Sequence, residues 1–269
     1  MASVAGILSA LGAFGGAMAS ADTRVSFASG VDYSSGDYGQ AIDTEVLSVP
    51  LAARVITDHW SFRASIPYLS IKGPADVADT TEGGGGGDGG GDPGGAGSLA
   101  RTGTEVGFGD LTLQATRSFR RLGGEDSGVY FDVTGRVRLP TGDEDRGLGV
   151  GATDYTVLGE FGNSGETGGV YANAGWRFLG DRTGTEREDG AQAGVGAWLR
   201  VNEGARIGAS ASWREASSQG NDDPASASVF WSQRLSDNLR LSINAGAGLS
   251  EASADYTGGV RLTWRSDRF

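Results

Sequence analysis

From Thr23 onward apolar and polar residues alternate with period two, in short blocks broken by Gly, Asp, Asn and Ser. A period of two sends successive side chains to opposite faces of a β-strand. "RVSFASGVDY" puts Val25, Phe27 and Val31 on one face, and "EVLSVPLAARV" does so with Leu47, Val49, Leu51 and Val55. "WSFRASIPYLS" aligns Trp60, Phe62, Ala64, Ile66 and Tyr68; "DLTLQATRSF" aligns Leu111, Leu113, Ala115 and Phe119. "VYFDVTGRVRL", "DYTVLGEFG", "GVYANAGWRFL" and "AQAGVGAWLRV" repeat the pattern, followed by "ARIGASASWRE", "ASASVFWSQRL", "LRLSINAGAGL" and "YTGGVRLTWR". These make twelve candidate strands.

The connections alternate too. Five short ones, such as "TDH", "NEG" and "SDN", interleave with six long acidic or glycine-rich ones at 34–44, 73–105, 140–152, 180–190, 216–225 and 250–255. Strict interleaving predicts hairpins stacked side by side, plain at one end and elaborated at the other.

Alternation by itself does not say which face meets water. A lipocalin-like barrel turns its apolar side chains inward, and a membrane barrel turns them toward lipid. Here the face opposite the apolar one carries charge in mid-strand: Arg136, Arg138, Arg177, Arg200, Arg206, Arg214, Arg240, Arg261, Asp132 and Glu160. Twelve strands enclose an interior too wide for such side chains to fill as a dry core. Trp60, Tyr68, Trp176, Phe178, Trp213 and Trp264 stand near strand ends, where an interfacial girdle belongs. The expected fold is all-β: a transmembrane, antiparallel, up-and-down β-barrel of 12 strands, with 10 or 14 as the alternatives. An apolar stripe limited to one face also reconciles a membrane span with a mean hydropathy of -0.25.

Composition narrows the chemistry. A formal charge of -12 argues against a nucleic-acid partner. Without cysteine there is no disulfide, thiolate site or cysteine nucleophile, and the single histidine, His59, precludes a histidine-rich metal cluster. No cofactor is expected. Of the 22 basic residues only Lys72 is lysine, leaving 21 arginines, whose planar guanidinium suits crowded, paired sites.

Residues 1–21 read as a secretory signal peptide. Val4 to Met18 is small and apolar, and "AMASA" before Asp22 offers a cleavage site, although the usual positive charge ahead of it is missing. Residues 22–269 then form the barrel. The run "EGGGGGDGGGDPGGAGS", residues 82–98, cannot pack a core. It falls in the long connection at about 73–105, expected to face the cell exterior, where added length costs little. "GGGGGD" matches half of a calcium nonapeptide repeat but lacks its apolar residue and its tandem copies, so calcium is not expected.

Three segments carry a family resemblance: "GFGDLTL" (107–113), "RLPTGD" (138–143) and "LGVGATDY" (148–155). In this order they resemble a family of bacterial outer-membrane transporters of the MetA-pathway of phenol degradation. The resemblance implies an outer-membrane barrel passing small, often aromatic or apolar, compounds; it assigns no functional residue. Physically, Pro140 and Gly142 read as turning the chain out of the membrane, and Asp110 or Asp154 as acceptors for backbone N–H groups at a strand's upper end. Phe269 ends the chain as in outer-membrane barrels, but Asp267, Arg265 and Thr263 stand where that signature wants apolar residues. Either a bulge near Ser266 or a tail beyond the strand accounts for the shifted parity.

The leading functional expectation is a passive outer-membrane channel or facilitator, with the inward arginines and acids as the solute pathway. A ring of arginines favours anions, and an ion-pair network that plugs the barrel is the alternative. A second class is a lipid-acting enzyme: "DHWS" places His59 and Ser61 on one strand face, resembling the histidine and serine of outer-membrane phospholipase. Inward placement at a turn argues against it. A third is a structural or adhesive surface barrel. Expected partners are outer-membrane lipids and lipopolysaccharide, the barrel-assembly machinery and a small-molecule solute.

Overall fold

The computed structural model describes residues 23–38, 43–73, 103–124, 127–181, 187–218 and 221–267. The expected signal peptide and the glycine run at 82–98 lie outside them. Thirteen strand segments follow one another: β1 (Arg24–Gly36), β2 (Thr44–Ile56), β3 (Trp60–Lys72), β4 (Thr104–Phe108), β5 (Leu111–Arg120), β6 (Val129–Leu139) and β7 (Asp154–Ser164), then β8 (Gly168–Phe178), β9 (Gly190–Arg200), β10 (Ala205–Arg214), β11 (Ala225–Arg234), β12 (Leu239–Gly248) and β13 (Tyr256–Arg265). Sequential neighbours pair antiparallel, β13 returns to β1, and β2 also pairs β3, so the sheet closes. Segments β4 and β5 both pair β3 and form one stave, which makes a closed barrel of 12 staves.

The divided stave refines the expected strand plan: its first segment begins at Thr104, just inside the stretch read as loop. Tyr68 faces Phe108 while Ser65 faces Thr112, so one extra residue sits on the β4–β5 side. That is a β-bulge, and it flips the parity of the stave. Gly109 occupies it because a Cβ there would lie 2.9 Å from Pro67 Cγ and 3.0 Å from Leu69 Cδ1.

All twelve apolar stripes point outward. Val157, Val170, Val195, Leu199 and Val229 are each more than half exposed, which in hydrocarbon is contact with acyl chains. Aromatic rings collect toward both strand ends of this outer face. Phe27 stacks on Trp264 with centroids 6.0 Å apart, Trp60 on Phe62 at 5.9 Å, and Tyr68 meets Phe108 edge-on at 5.1 Å. Arg117, on the outer face, lies 5.4 Å from both the Trp60 and the Phe119 ring centroids, a cation held at the level of a polar–apolar boundary.

The five short turns share one end of the barrel and the six long connections the other. Ser266 donates its N–H to the Val25 carbonyl at 2.8 Å, so both ends of the described chain meet at the short-turn end. Strand β13 stops at Arg265; Phe269, on which the terminal signature turns, lies outside the described residues. Among the described residues the one helical turn is a 3-10 turn, Glu144–Arg146.

Val195→Arg should lower barrel stability by about 2–4 kcal/mol, since it places a cation on the lipid face. The same substitution at inward Ser65 should cost far less. Urea titration of the barrel in lipid vesicles measures both.

Candidate functional site

Direct partners across an antiparallel pair share a face. The pairing therefore puts Arg136 and Arg138 (β6), Arg177 (β8), Arg200 (β9), Arg206 and Arg214 (β10), Arg240 (β12), Arg261 (β13), Asp132 (β6) and Glu160 (β7) all on the inner face. They do not form one wall. They separate into a mouth, a middle and a short-turn end.

At the long-loop end β6 stops at Leu139, just before Pro140, and the β6–β7 connection then folds inward over the mouth. Asp110, freed from the pleat by the bulge, accepts from Gly142 N–H through Oδ1 and from Val150 N–H through Oδ2, both at 2.8 Å. Thr141 Oγ1 accepts from Leu111 N–H at 2.8 Å. Asp143 caps the 3-10 turn, and Gly147 leaves it in the left-handed region at φ 68°. Leu148, 2 % exposed, then packs against Val46, Leu69 and Ile71, apolar residues on the inner face of β2 and β3. Gly107 makes room for it, because a Cβ there would lie 2.7 Å from Leu148 Cδ1. Burying such a side chain contributes about 1.5–3 kcal/mol. Arg146 donates to Glu105 at 2.7 Å and to the Val106 carbonyl at 3.0 Å, covering the outer edge of β4 beyond the reach of β6.

Asp154, at the start of β7, does for the β8–β9 connection what Asp110 does for β6–β7. It accepts from Gly180 N–H at 3.0 Å and from Arg187 at 2.7 Å through Oδ1, and from Arg138 Nε at 3.1 Å through Oδ2. All three charged side chains are at least nine-tenths buried. Arg138 is thus part of the mouth's framework, where removing one partner of such a group costs several kcal/mol. Arg177 donates to the Glu215 carbonyl and is likewise buried. The sequence reading missed Arg187 and the inward loop. The apolar Leu148 and Val150 inside an otherwise acidic connection were the available signal.

The middle of the inner face is small and hydroxylic. Ser210 bonds Ser228 at 2.9 Å and Ser212 bonds Ser226 at 3.0 Å. Four aromatic rings also lie on this face, unanticipated: Tyr130, Tyr171, Trp198 and Phe230. Each stands directly opposite a glycine on the next strand: Gly162, Gly196, Gly169 and Gly208 respectively. A Cβ would lie 2.4 Å from Tyr171 Cζ at Gly196 and 2.4 Å from Phe230 Cε1 at Gly208. The rings lie over bare backbone, a packing that replaces the missing side chain and keeps the ring close to the wall. Their signal was an aromatic residue of polar parity facing a glycine of polar parity. Beside them Asp132 and Glu160 are direct partners; Tyr130 donates its hydroxyl to Glu160 at 2.9 Å, and Arg120 donates to Asp132 at 3.2 Å.

Toward the short-turn end Arg206 lies 4.5 Å over the Trp198 ring and Arg240 donates to Ser232 at 3.0 Å; at mid-strand Arg261 donates to Asp32 at 3.0 Å. Ser61 is inward and buried, and its Oγ accepts from Arg54 at 2.9 Å. A nucleophile engaged by a cation at a turn, with His59 exposed beside it, is not a triad geometry.

No family model matches the chain, and no curated protein matches it. Solved structures do match in fold. An outer-membrane channel from Pseudomonas putida F1 superposes with a TM-score of 0.65 at 15 % identity, covering 93 % of this chain and 97 % of that one. The KdgM porin gives 0.54 at 7 % identity, over 89 % and 98 % of the two chains. A structure of KdgM porin in complex with disordered oligogalacturonate gives 0.53 at 7 % identity, over 90 % and 98 %. At these identities the likeness is one of architecture.

Asp110→Ala should release the inward loop, because two N–H groups lose their acceptor at about 1–3 kcal/mol each. Faster tryptic cleavage after Arg146 in the folded barrel reports the release. Separately, Gly196→Val should lift the Tyr171 ring off the wall and lower barrel stability, read by urea titration in lipid vesicles against wild type.

Proposed function

We propose that the protein is a passive outer-membrane channel for small solutes, exported to the cell outer membrane and entering it by the barrel-assembly machinery. The observation that carries this reading is the inner face itself. Much of its mid-height is glycine and serine, with Tyr171 and Phe230 laid against glycine, a choice that keeps bulk off the wall of a closed barrel where a packed core would demand the opposite. The long loops, with Lys72 and Glu45 paired at their base, face the exterior and lipopolysaccharide, and the short turns face the periplasm.

Arg136, Arg200, Arg206, Arg240 and Arg261, with Asp132 and Glu160, serve in this reading as the charged part of the solute pathway, guanidinium groups at several levels that favour anions, while Arg138 and Arg177 belong to the mouth's framework. The inward β6–β7 loop narrows the mouth, so solutes are sorted by size before charge. Small aromatic or apolar compounds, the class implied by the MetA-type resemblance, suit the flat rings of the middle. The likeness in fold to an outer-membrane channel and to a porin supports a channel over a lipid-acting enzyme.

Purified barrels inserted into planar bilayers should show discrete conductance steps. Silence in the wild type and in Asp110→Ala alike, with the protein folded by heat-modifiable migration, overturns the channel.

A further inference from the structure

The outer face of the barrel carries almost no charge. Among the described strand residues of outward parity, Glu45 and Lys72 are charged at the long-loop end, where they pair at 3.4 Å. The third charge is Arg117 of β5, at the opposite end. It is the direct partner of Trp60, the first residue of β3, and its neighbour Ser118 donates its N–H to the His59 carbonyl at 2.8 Å. Arg117 is thus level with the β2–β3 turn. Its charge lies 5.4 Å from the Trp60 and Phe119 ring centroids, and no carboxylate pairs with it among the described residues. Both rings are 42 % exposed. Neutral ring faces therefore steer the guanidinium and leave its N–H edges for another acceptor.

The outer wall beside Arg117 is cut away. Ala115 and Gly135 are direct partners one register step toward the long-loop end, and Gly159 is the partner of Val133, which itself faces Arg117. A Cβ on Gly135 would meet nothing within 4 Å, and one on Gly159 would come no nearer than 3.5 Å, to the Phe131 ring. The inward glycines Gly196 and Gly208 differ, since a ring covers each of them. The two outward glycines leave a shallow trough that the protein's own packing does not use. A cation facing hydrocarbon is costly, and it is tolerated where its head reaches the polar headgroups.

We propose that Arg117 and this trough hold one glycerophospholipid of the periplasmic leaflet, with its phosphodiester on the guanidinium beside Trp60 and Phe119 and an acyl chain along Ala115 and Gly135. The charges are complementary: a planar guanidinium offers parallel N–H donors to two phosphate oxygens. Position selects the leaflet, because the outward charges at the long-loop end already neutralise one another in the Lys72–Glu45 pair. The site rests on the outer-membrane part of the reading above and not on conduction.

The test titrates the full barrel, in maltoside detergent, with phosphatidylglycerol, with diacylglycerol of the same acyl chains and with inorganic phosphate, counting bound copies by native mass spectrometry. One phosphatidylglycerol should bind about tenfold more tightly than further copies, and Arg117→Gln should abolish that advantage, as loss of a charge-assisted, two-pronged contact requires. Arg117→Lys keeps the charge but loses the fork, and should fall between the two. Gly135→Leu fills the trough without touching the cation and should also weaken the lipid, whereas Lys72→Gln should leave it unchanged. Equal retention of phosphatidylglycerol by Arg117→Gln and wild type, or diacylglycerol held as tightly as phosphatidylglycerol, overturns the site. Inorganic phosphate that displaces the lipid at equal concentration, or Gly135→Leu that binds as wild type does, overturns the lipid as occupant in favour of a bare anion contact. Urea titration separates a merely structural role. Arg117→Gln should lose stability in phosphatidylglycerol vesicles and keep it in maltoside micelles; equal loss in both makes Arg117 a clamp for two rings and overturns the site. A barrel that holds the lipid but never conducts upholds the site and overturns the channel, and one that conducts without holding lipid does the converse.

Discussion

A peptide backbone in hydrocarbon has only itself to bond, and every unpaired N–H or C=O there costs several kcal/mol. Closure through the β13–β1 pair removes the two edges an open twelve-stave sheet would expose. Everything else follows from that constraint. Closure divides the chain into an outer and an inner face, and the period of two then assigns each residue to lipid or to the interior without further choice. Where the pairing shifts by one residue, at the bulge of Gly109 and Asp110, the chain gains a side chain that organises the interior.

The mouth shows how a loop is held inside a barrel with little apolar burial. Two aspartates at the upper ends of their staves accept N–H groups from the connections beside them, and Leu148 sets the depth by filling the space that Gly107 leaves. The segments 107–113, 138–143 and 148–155, separate in the chain, are three sides of this one arrangement. Their glycines have a common cause: a Cβ on Gly142 would lie 2.5 Å from the Leu148 carbonyl, and one on Gly149 would lie 2.6 Å from Asp110 Oδ1.

The inner-face arginines have different surroundings at different heights. At the mouth Arg138 and Arg187 are buried against Asp154 and act as framework; toward the short turns Arg206 lies over the Trp198 ring, Arg240 donates to Ser232 and Arg120 to Asp132. Between them lies a wall of serine, glycine and flattened rings.

The alternation of residues determined the strands, their twelve stripes, the interleaved connections and the inward placement of Arg136 through Arg261, since a period of two needs no knowledge of neighbours. It could not show that Arg138 is locked by Asp154 and Arg187, that Leu148 returns to β2 and β3, or that Trp198 and Phe230 lie over Gly169 and Gly208. Nor could it oppose Arg200 to Arg206 or Arg234 to Arg240. Those are facts of register and loop direction. A sliding strand keeps its faces every two residues but changes every partner, so only the closed tertiary structure decides who stands opposite whom.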